Sequence, residues 1–261
     1  MVLVLLKRAS MFGALFFCAA VFADQHADCR ARQATTSHQV VKIFDGDSLL
    51  LEGGKKVRLI GINTPETAKP DRLAEPYAAA ALSLSKQYIA AADYRVGLVA
   101  GRDEKDRYGR TLAHVFLPGG ENLAALLLKK GMGYQIAIPP NLAYLDCYAA
   151  AEASARSQRL GVWRLRPVGI DKTAKLEPGF SRVTGKVTRI GHGRSNIWLN
   201  FDGPLAIRIR RADLRYFTRW RVDGLAGKTI EARGWIYRHK GRLRLQIRHP
   251  AMIRVMADRS K

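Results

Sequence analysis

The run VVKIFDGDSLLLEGGKKVRLIGI, residues 40–62, alternates β-forming segments with turn punctuation. Residues 40–44 are rich in β-branched and aromatic side chains, and Asp45-Gly46-Asp47 interrupts them. Residues 48–51 resume the apolar pattern, Glu52-Gly53-Gly54 turns again, and residues 57–62 form a third apolar run. Branched and aromatic side chains suit a pleated surface, whereas Gly and Asp supply turn conformations. Three runs joined by such short turns predict an antiparallel meander.

Outward from this meander, Pro65 and Pro70 break the backbone, and Pro76 opens an Ala-rich stretch, 77–91, whose residues lose little entropy in a helix. Two further β-rich runs, 94–99 and 110–117, flank the polar segment 102–109. Residues 121–130 have helical composition with Gly131 placed as a C-cap, a third helix is expected over 142–159, and Gly161-Val162-Trp163 closes the module. Five β segments wrapped with three helices predict a mainly β, α+β module: a five-stranded barrel of the OB type.

The chain has 261 residues, more than one compact domain usually needs, and carries 44 Lys and Arg against 22 Asp and Glu. Its formal net charge of +22 creates broad positive potential and favours a polyanionic partner, nucleic acid or an anionic membrane surface. Residues 164–179, with Pro167, Gly169, Pro178 and Gly179 among charges, read as a linker. From Leu176 onward, 20 Lys and Arg face 6 Asp and Glu, which places +14 of the charge in the last third. That region is β-patterned over 183–190, 197–201, 205–209, 229–237 and 243–247, so a second small barrel is expected over 180–261.

Residues 1–23 read as a signal peptide: Lys7 and Arg8 flank an apolar run from Met11 to Ala20, and Val21-Phe22-Ala23 offers a small-residue cleavage site. The apolar stretch is shorter than the roughly 20 residues a bilayer span needs. The expectation is therefore an exported protein, periplasmic or secreted, with no stable membrane insertion after cleavage. Cys29 and Cys147 then remain as two cysteines in an oxidising compartment and are expected to form a disulfide. The histidines show neither His-Glu-x-x-His nor any other zinc motif.

Three segments of the first module, expected over 24–163, gather oxygen ligands and arginines: Asp45-Gly46-Asp47-Ser48, Arg58 with Asn63-Thr64-Pro65-Glu66, and Asp106-Arg107-Tyr108-Gly109-Arg110. In this order, inside a meander and ahead of the Gly-Val-Trp ending, they resemble the thermonuclease (staphylococcal nuclease-like) family over about residues 40–163. The resemblance implies a nuclease in which Arg58 and Arg110 clamp the phosphate and Glu66 is the general base toward water. The residue types suit that chemistry, because phosphodiester hydrolysis builds negative charge on oxygens that a planar, permanently charged guanidinium meets with two parallel bonds. It also implies a divalent metal cofactor, Ca2+, held by Asp47, residue 63 and the Thr64 carbonyl, with Asn63 here where the family places a carboxylate. An amide oxygen remains a calcium ligand but brings no charge and weakens affinity. Arg107 and Tyr108 are expected at the substrate, a packed turn aromatic being the other reading of Tyr108.

In the last third, Arg208, Arg210 and Arg211, then Arg242, Arg244 and Arg248, recur mostly at even spacing along expected strands, which turns each set to one side of a sheet. Interleaved with aromatics such as Trp198, Trp235 and Tyr237, they have the composition of a single-strand-binding surface, although solvated arginines over core aromatics fit the same pattern. The expected function is hydrolysis of phosphodiester bonds in DNA or RNA, leaving 3′-phosphate ends by resemblance. The alternatives are an exported nucleic-acid-binding protein whose nuclease barrel has decayed, with Asn63 as its symptom, and a basic envelope protein on anionic lipid or polysaccharide.

Overall fold

A computed structural model describes residues 29–31, 35–171, 176–218 and 220–257; the expected signal segment, 1–23, lies outside them. The meander forms as expected: β1 (Ser37–Asp45), β2 (Ser48–Leu51) and β3 (Lys56–Leu59) pair antiparallel in turn. A two-residue strand, β4 (Ile62–Asn63), follows Gly61. Gly61 has φ +90°, and any Cβ there would run into the Tyr148 ring, so glycine alone permits the bend that separates Arg58 on β3 from Asn63 on β4.

After helix α1 (Ala78–Ala90), β5 (Arg95–Lys105) and β6 (Thr111–Phe116) close the barrel in the order β1-β2-β3-β6-β5, with β3 and β6 parallel. The sequence pattern places residues 102–109 outside the strands, but β5 continues through Lys105 in an irregular ladder with β6. Its polar residues are tolerated because this end of the hairpin faces solvent rather than core. Helix α2 (Leu123–Lys129) is capped by Asn122, whose side chain accepts from the Ala125 amide at 3.1 Å. Then come β7 (Tyr134–Gln135), paired with β4, and helix α3 (Leu145–Ser157). The core is Leu49, Leu51, Val57, Leu59, Ile62 and Val115 of the strands against Leu123, Leu127 and Tyr148 of the helices. Each fully buried Leu or Ile contributes about 1.5–3 kcal/mol. The disulfide joins Cys29 to Cys147 on α3, tying the start of the described chain to the helix layer.

Part of the expected linker is structured. After a 3-10 turn over 161–164 that closes the first module, β8 (Val168–Gly169) lies within the expected linker and pairs parallel with β9 (Gly179–His192). With β10 (Asn196–Phe201), β11 (Leu205–Arg210), β12 (Thr229–His239) and β13 (Arg242–Ile247), β9 forms a second barrel in the order β9-β10-β11-β13-β12, closed by β12 on β9. β11 and β13 are parallel, so both barrels share one topology. A last strand, β14 (Ile253–Val255), extends β12. Burial alternates strictly along β13, with Leu243, Leu245 and Ile247 inward and Arg242, Arg244 and Gln246 outward.

The barrels meet through buried charges. Arg233 of β12 donates to the Gln135 carbonyl at 2.8 Å and pairs with Glu152 of α3 at 2.7 Å, while the Gln135 amide donates to the same carboxylate at 2.6 Å. Arg156 of α3 reaches Glu231 of β12 at 2.7 Å. Ile136 and Ala137, from the first module, are buried in the core of the second barrel.

Candidate active site

The β1–β2 turn folds on itself, the Asp47 amide donating to Asp45 Oδ1 at 2.9 Å, and this directs the Asp47 side chain inward. Asp47 is buried, and it collects the Thr64 amide at 2.6 Å, the Ser48 hydroxyl at 3.2 Å and an ion pair with Arg58. Arg58, from β3, also donates through Nη2 to Asn63 Oδ1 at 3.0 Å. On the other side Arg110, just before β6, donates from Nε to Asp106 Oδ2 at 2.7 Å and from Nη1 to Ser48 Oγ at 3.4 Å. One chain of contacts therefore runs Asn63, Arg58, Asp47, Ser48, Arg110, Asp106. The structure brings both expected phosphate clamps to one site, each guanidinium fixed on one side by protein oxygens.

Asp106 opens the third of the sequence segments, but the sequence pattern gives it no role. It accepts the Tyr108 amide at 2.9 Å and the Arg110 amide at 3.0 Å, so one carboxylate shapes the turn and aims the Arg110 side chain. Burial alone would raise its carboxyl, but the Arg110 guanidinium and the two amides hold it below the ordinary carboxylate range. The available signal is an Asp opening a Gly-containing turn into a strand. Asp45 moves the other way: burial, then the adjacent Asp47 charge, push it up to about 7.

Glu66 lines the same cleft as Arg58 and Arg110, but its carboxylate pairs with other cations. Its Oε2 meets Lys69 at 2.8 Å and Arg72 at 3.6 Å, and its amide donates to Glu75 at 3.1 Å. The side-chain contacts engage Oε2, and none of them is with Arg58 or Arg110. Tyr108 is 68% exposed, with the Arg107 and Arg110 guanidinia 4.7 and 5.6 Å from its ring centre. It is a rim residue, and the packed alternative does not hold.

The cleft has a volume of about 1120 Å³, and Trp235 and Arg248 of the second barrel line it together with Arg58, Glu66, Tyr108 and Arg110. Neither residue was expected there. Arg208, Arg210, Arg242 and Arg244 do not line it; they occupy the outer face of β11 and β13. Arg210 is engaged with the buried Asp213 at 3.0 Å, a structural role. Arg244 lies over the Trp198 ring at 4.9 Å and Arg208 over Tyr237 at 5.8 Å, while Arg242 is exposed.

Among the described residues no three His, Cys, Asp or Glu side chains gather as a metal cluster. The candidate metal ligands are one carboxylate, Asp47, one amide oxygen, Asn63, and the Thr64 carbonyl, which Asn63 Nδ2 approaches at 3.4 Å. Arg58 contacts both Asp47 and Asn63, so these two oxygens already face a common cation. All are hard oxygen donors of the class calcium accepts, with a single formal charge among them.

Residues 56–165 match the family described as staphylococcal nuclease homologue. The chain is 37% identical over 130 residues to a thermonuclease of Staphylococcus intermedius, covering 49% of this chain and 76% of that protein. It is 34% identical over 130 residues to a thermonuclease of Staphylococcus hyicus, covering 49% and 75% respectively. An endonuclease, YncB, of Bacillus subtilis (strain 168) is 32% identical over 126 residues, covering 47% of this chain and 59% of that protein. The family match ends before the second barrel begins. With the cleft arginines set in a barrel of this topology, the chain belongs to the staphylococcal nuclease homologue family, whose members are phosphodiester-hydrolysing nucleases.

Proposed function

We propose that this protein is an exported, divalent-metal-assisted nuclease that hydrolyses DNA or RNA to 3′-phosphate ends, with the outer arginine face of its second barrel holding the substrate. The observation that carries this reading is the chain of contacts linking Arg58 to Arg110 through Asp47 and Ser48 in the cleft that also contains Glu66. Positively charged forks fixed before substrate arrives need no reorganisation as charge develops, which is the condition for strong electrostatic catalysis.

A phosphodiester in this cleft presents its nonbridging oxygens to the free N–H groups of Arg58 and Arg110. Glu66 Oε1 takes a proton from water as its oxygen bonds to phosphorus. The P–O5′ bond breaks, Arg110 hydrogen-bonds the departing oxygen, which takes a proton from solvent and leaves as the 5′-hydroxyl, and Glu66 then returns its proton to solvent. Asp106 and Ser48 position Arg110, and Asp47 with Asn63 positions Arg58. A divalent ion held by Asp47, Asn63 and the Thr64 carbonyl would supply further polarisation of a phosphoryl oxygen and a lower pKa for attacking water.

Export is supported by the charged and apolar pattern of residues 1–23 and by the Cys29–Cys147 disulfide, a bond that persists in oxidising compartments. Digestion of single- and double-stranded DNA and RNA with calcium, magnesium, manganese or chelator, followed by end analysis, tests the whole reading. Metal-dependent cleavage to 3′-phosphate ends is expected. Binding without cleavage under every condition would instead support the non-catalytic reading.

A further inference from the structure

β12 presents residues 231, 233, 235 and 237 on one face, because side chains alternate along a strand. Glu231 and Arg233 clamp this face onto helix α3 of the first module. Two residues further, roughly 7 Å along the strand, Trp235 emerges where that contact opens into the catalytic cleft. A second hollow of about 390 Å³ shares Arg107, Ile138, Trp235 and Arg248 with the cleft and continues to Tyr237 and Gln246.

Trp235 is 40% exposed, a large apolar ring left open to solvent at the junction of two hollows. Its orientation is fixed from behind. Phe180 packs against it at 5.1 Å with the planes 75° apart, Phe180 stacks on Tyr134 at 5.7 Å, and Tyr134 meets Trp163 edge-on at 5.2 Å. Ile136 and Ile138 of the first module line the cleft and offer no stacking ring; its exposed aromatics there are Phe44 and Tyr108. A rigid aromatic with arginines nearby is the combination that holds an unpaired nucleotide.

We propose that Trp235 is a base-stacking platform lent by the second barrel to the catalytic cleft, taking an unpaired base next to the phosphodiester clamped by Arg58 and Arg110, and so selecting single-stranded substrate. Arg107 and Arg248 supply charge along the same path, which leads on to Tyr237 and the outer arginine face. A base inside a duplex has both faces covered by its neighbours and gains nothing from this ring. The proposal deepens the nuclease reading and rests on this cleft being the catalytic one.

The test compares full-length wild type with Trp235→Ala and Trp235→Phe on a labelled single-stranded oligonucleotide and on the duplex of the same sequence. Both Kd and the separate kcat and KM are measured. For the single strand, Trp235→Ala is expected to raise Kd and KM about tenfold, the effect of losing one stacked base, with kcat within twofold. Trp235→Phe should restore most of the affinity, and duplex affinity should not change. Single-strand affinity within twofold of wild type in Trp235→Ala, equal losses in both variants, or equal losses on duplex would each overturn the platform. Wild type that cleaves while Trp235→Ala is unaffected removes the platform and leaves the nuclease. Wild type that binds single strands through Trp235 but cleaves nothing removes the nuclease and leaves the platform.

Discussion

Arg58 and Arg110 illustrate why residue type matters more than charge at this site. Arg58 uses one nitrogen on Asp47 and another on Asn63, and Arg110 uses Nε on Asp106 and Nη1 on Ser48. On the proposed mechanism each holds its protein partners and still presents a fork to phosphate, which needs the five donors of a guanidinium. A lysine has a single point of attachment and forfeits one function or the other. Arg58→Lys and Arg110→Lys are each expected to lower kcat about 10²-fold, the cost of removing one preorganised donor. Activity within a few-fold of wild type in either variant would remove that residue from the clamp. That Arg58, Arg110 and Glu66 share one cleft follows the sequence expectation, because their motifs are short and ordered along the chain. The roles of Asp106 and Trp235 are not legible in the sequence, because they depend on a turn's side-chain direction and on where a distant strand is docked.

At the scale of elements, β6 carries a pH dependence into the core. His114 is buried, and burial pushes its ring down to about 4. Its Nδ1 lies 2.7 Å from the Tyr148 hydroxyl, whose oxygen accepts from Asn122 Nδ2 at 3.1 Å. In the tautomer that carries its proton on Nε2, Nδ1 accepts a hydrogen bond from this hydroxyl. An unfolded histidine takes up a proton near pH 6.5, whereas the folded one resists until about 4. Below pH 6.5 the unfolded state therefore binds more protons, and stability falls as pH drops toward 4, by about 3 kcal/mol in all. His114→Gln, which keeps a polar partner for Tyr148 but cannot ionise, should flatten the urea midpoint across this window; parallel midpoints in variant and wild type would contradict it. The strands themselves are readable from sequence, since alternation fixes them to within a few residues in both barrels. The polar end of β5 and the pairing of β8 are not, because neither buries the apolar face that gives a strand its pattern.

For the whole molecule, the buried Arg233–Glu152 pair and the first-module residues Ile136 and Ala137 in the second barrel's core make the two barrels one packed body. Sequence reading marks the basic last third and an outer arginine stripe, but gives no role to Arg182 and Arg233, which are buried. Charges in an interface carry no pattern that separates them from charges on a face. Removing the second barrel would leave Glu152 without its cation and expose core, so its nucleic-acid binding is better tested by substitution. Arg208, Arg242 and Arg244 changed to Ala should weaken binding to a long single strand and reduce its salt slope by about 0.7–0.9 for each phosphate no longer neutralised, with the chemical step untouched. An unchanged slope would turn the outer face over to lipid, polysaccharide or protein. The proposed mechanism requires hydrolysis in this cleft with Glu66 as its base, and single-turnover cleavage of a saturating oligonucleotide by wild type and Glu66→Gln measures it most directly. Wild type should cleave with calcium and stop with chelator, and Glu66→Gln should bind as tightly yet cleave about 10²–10⁴-fold more slowly. A Glu66→Gln rate within a few-fold of wild type would contradict the mechanism.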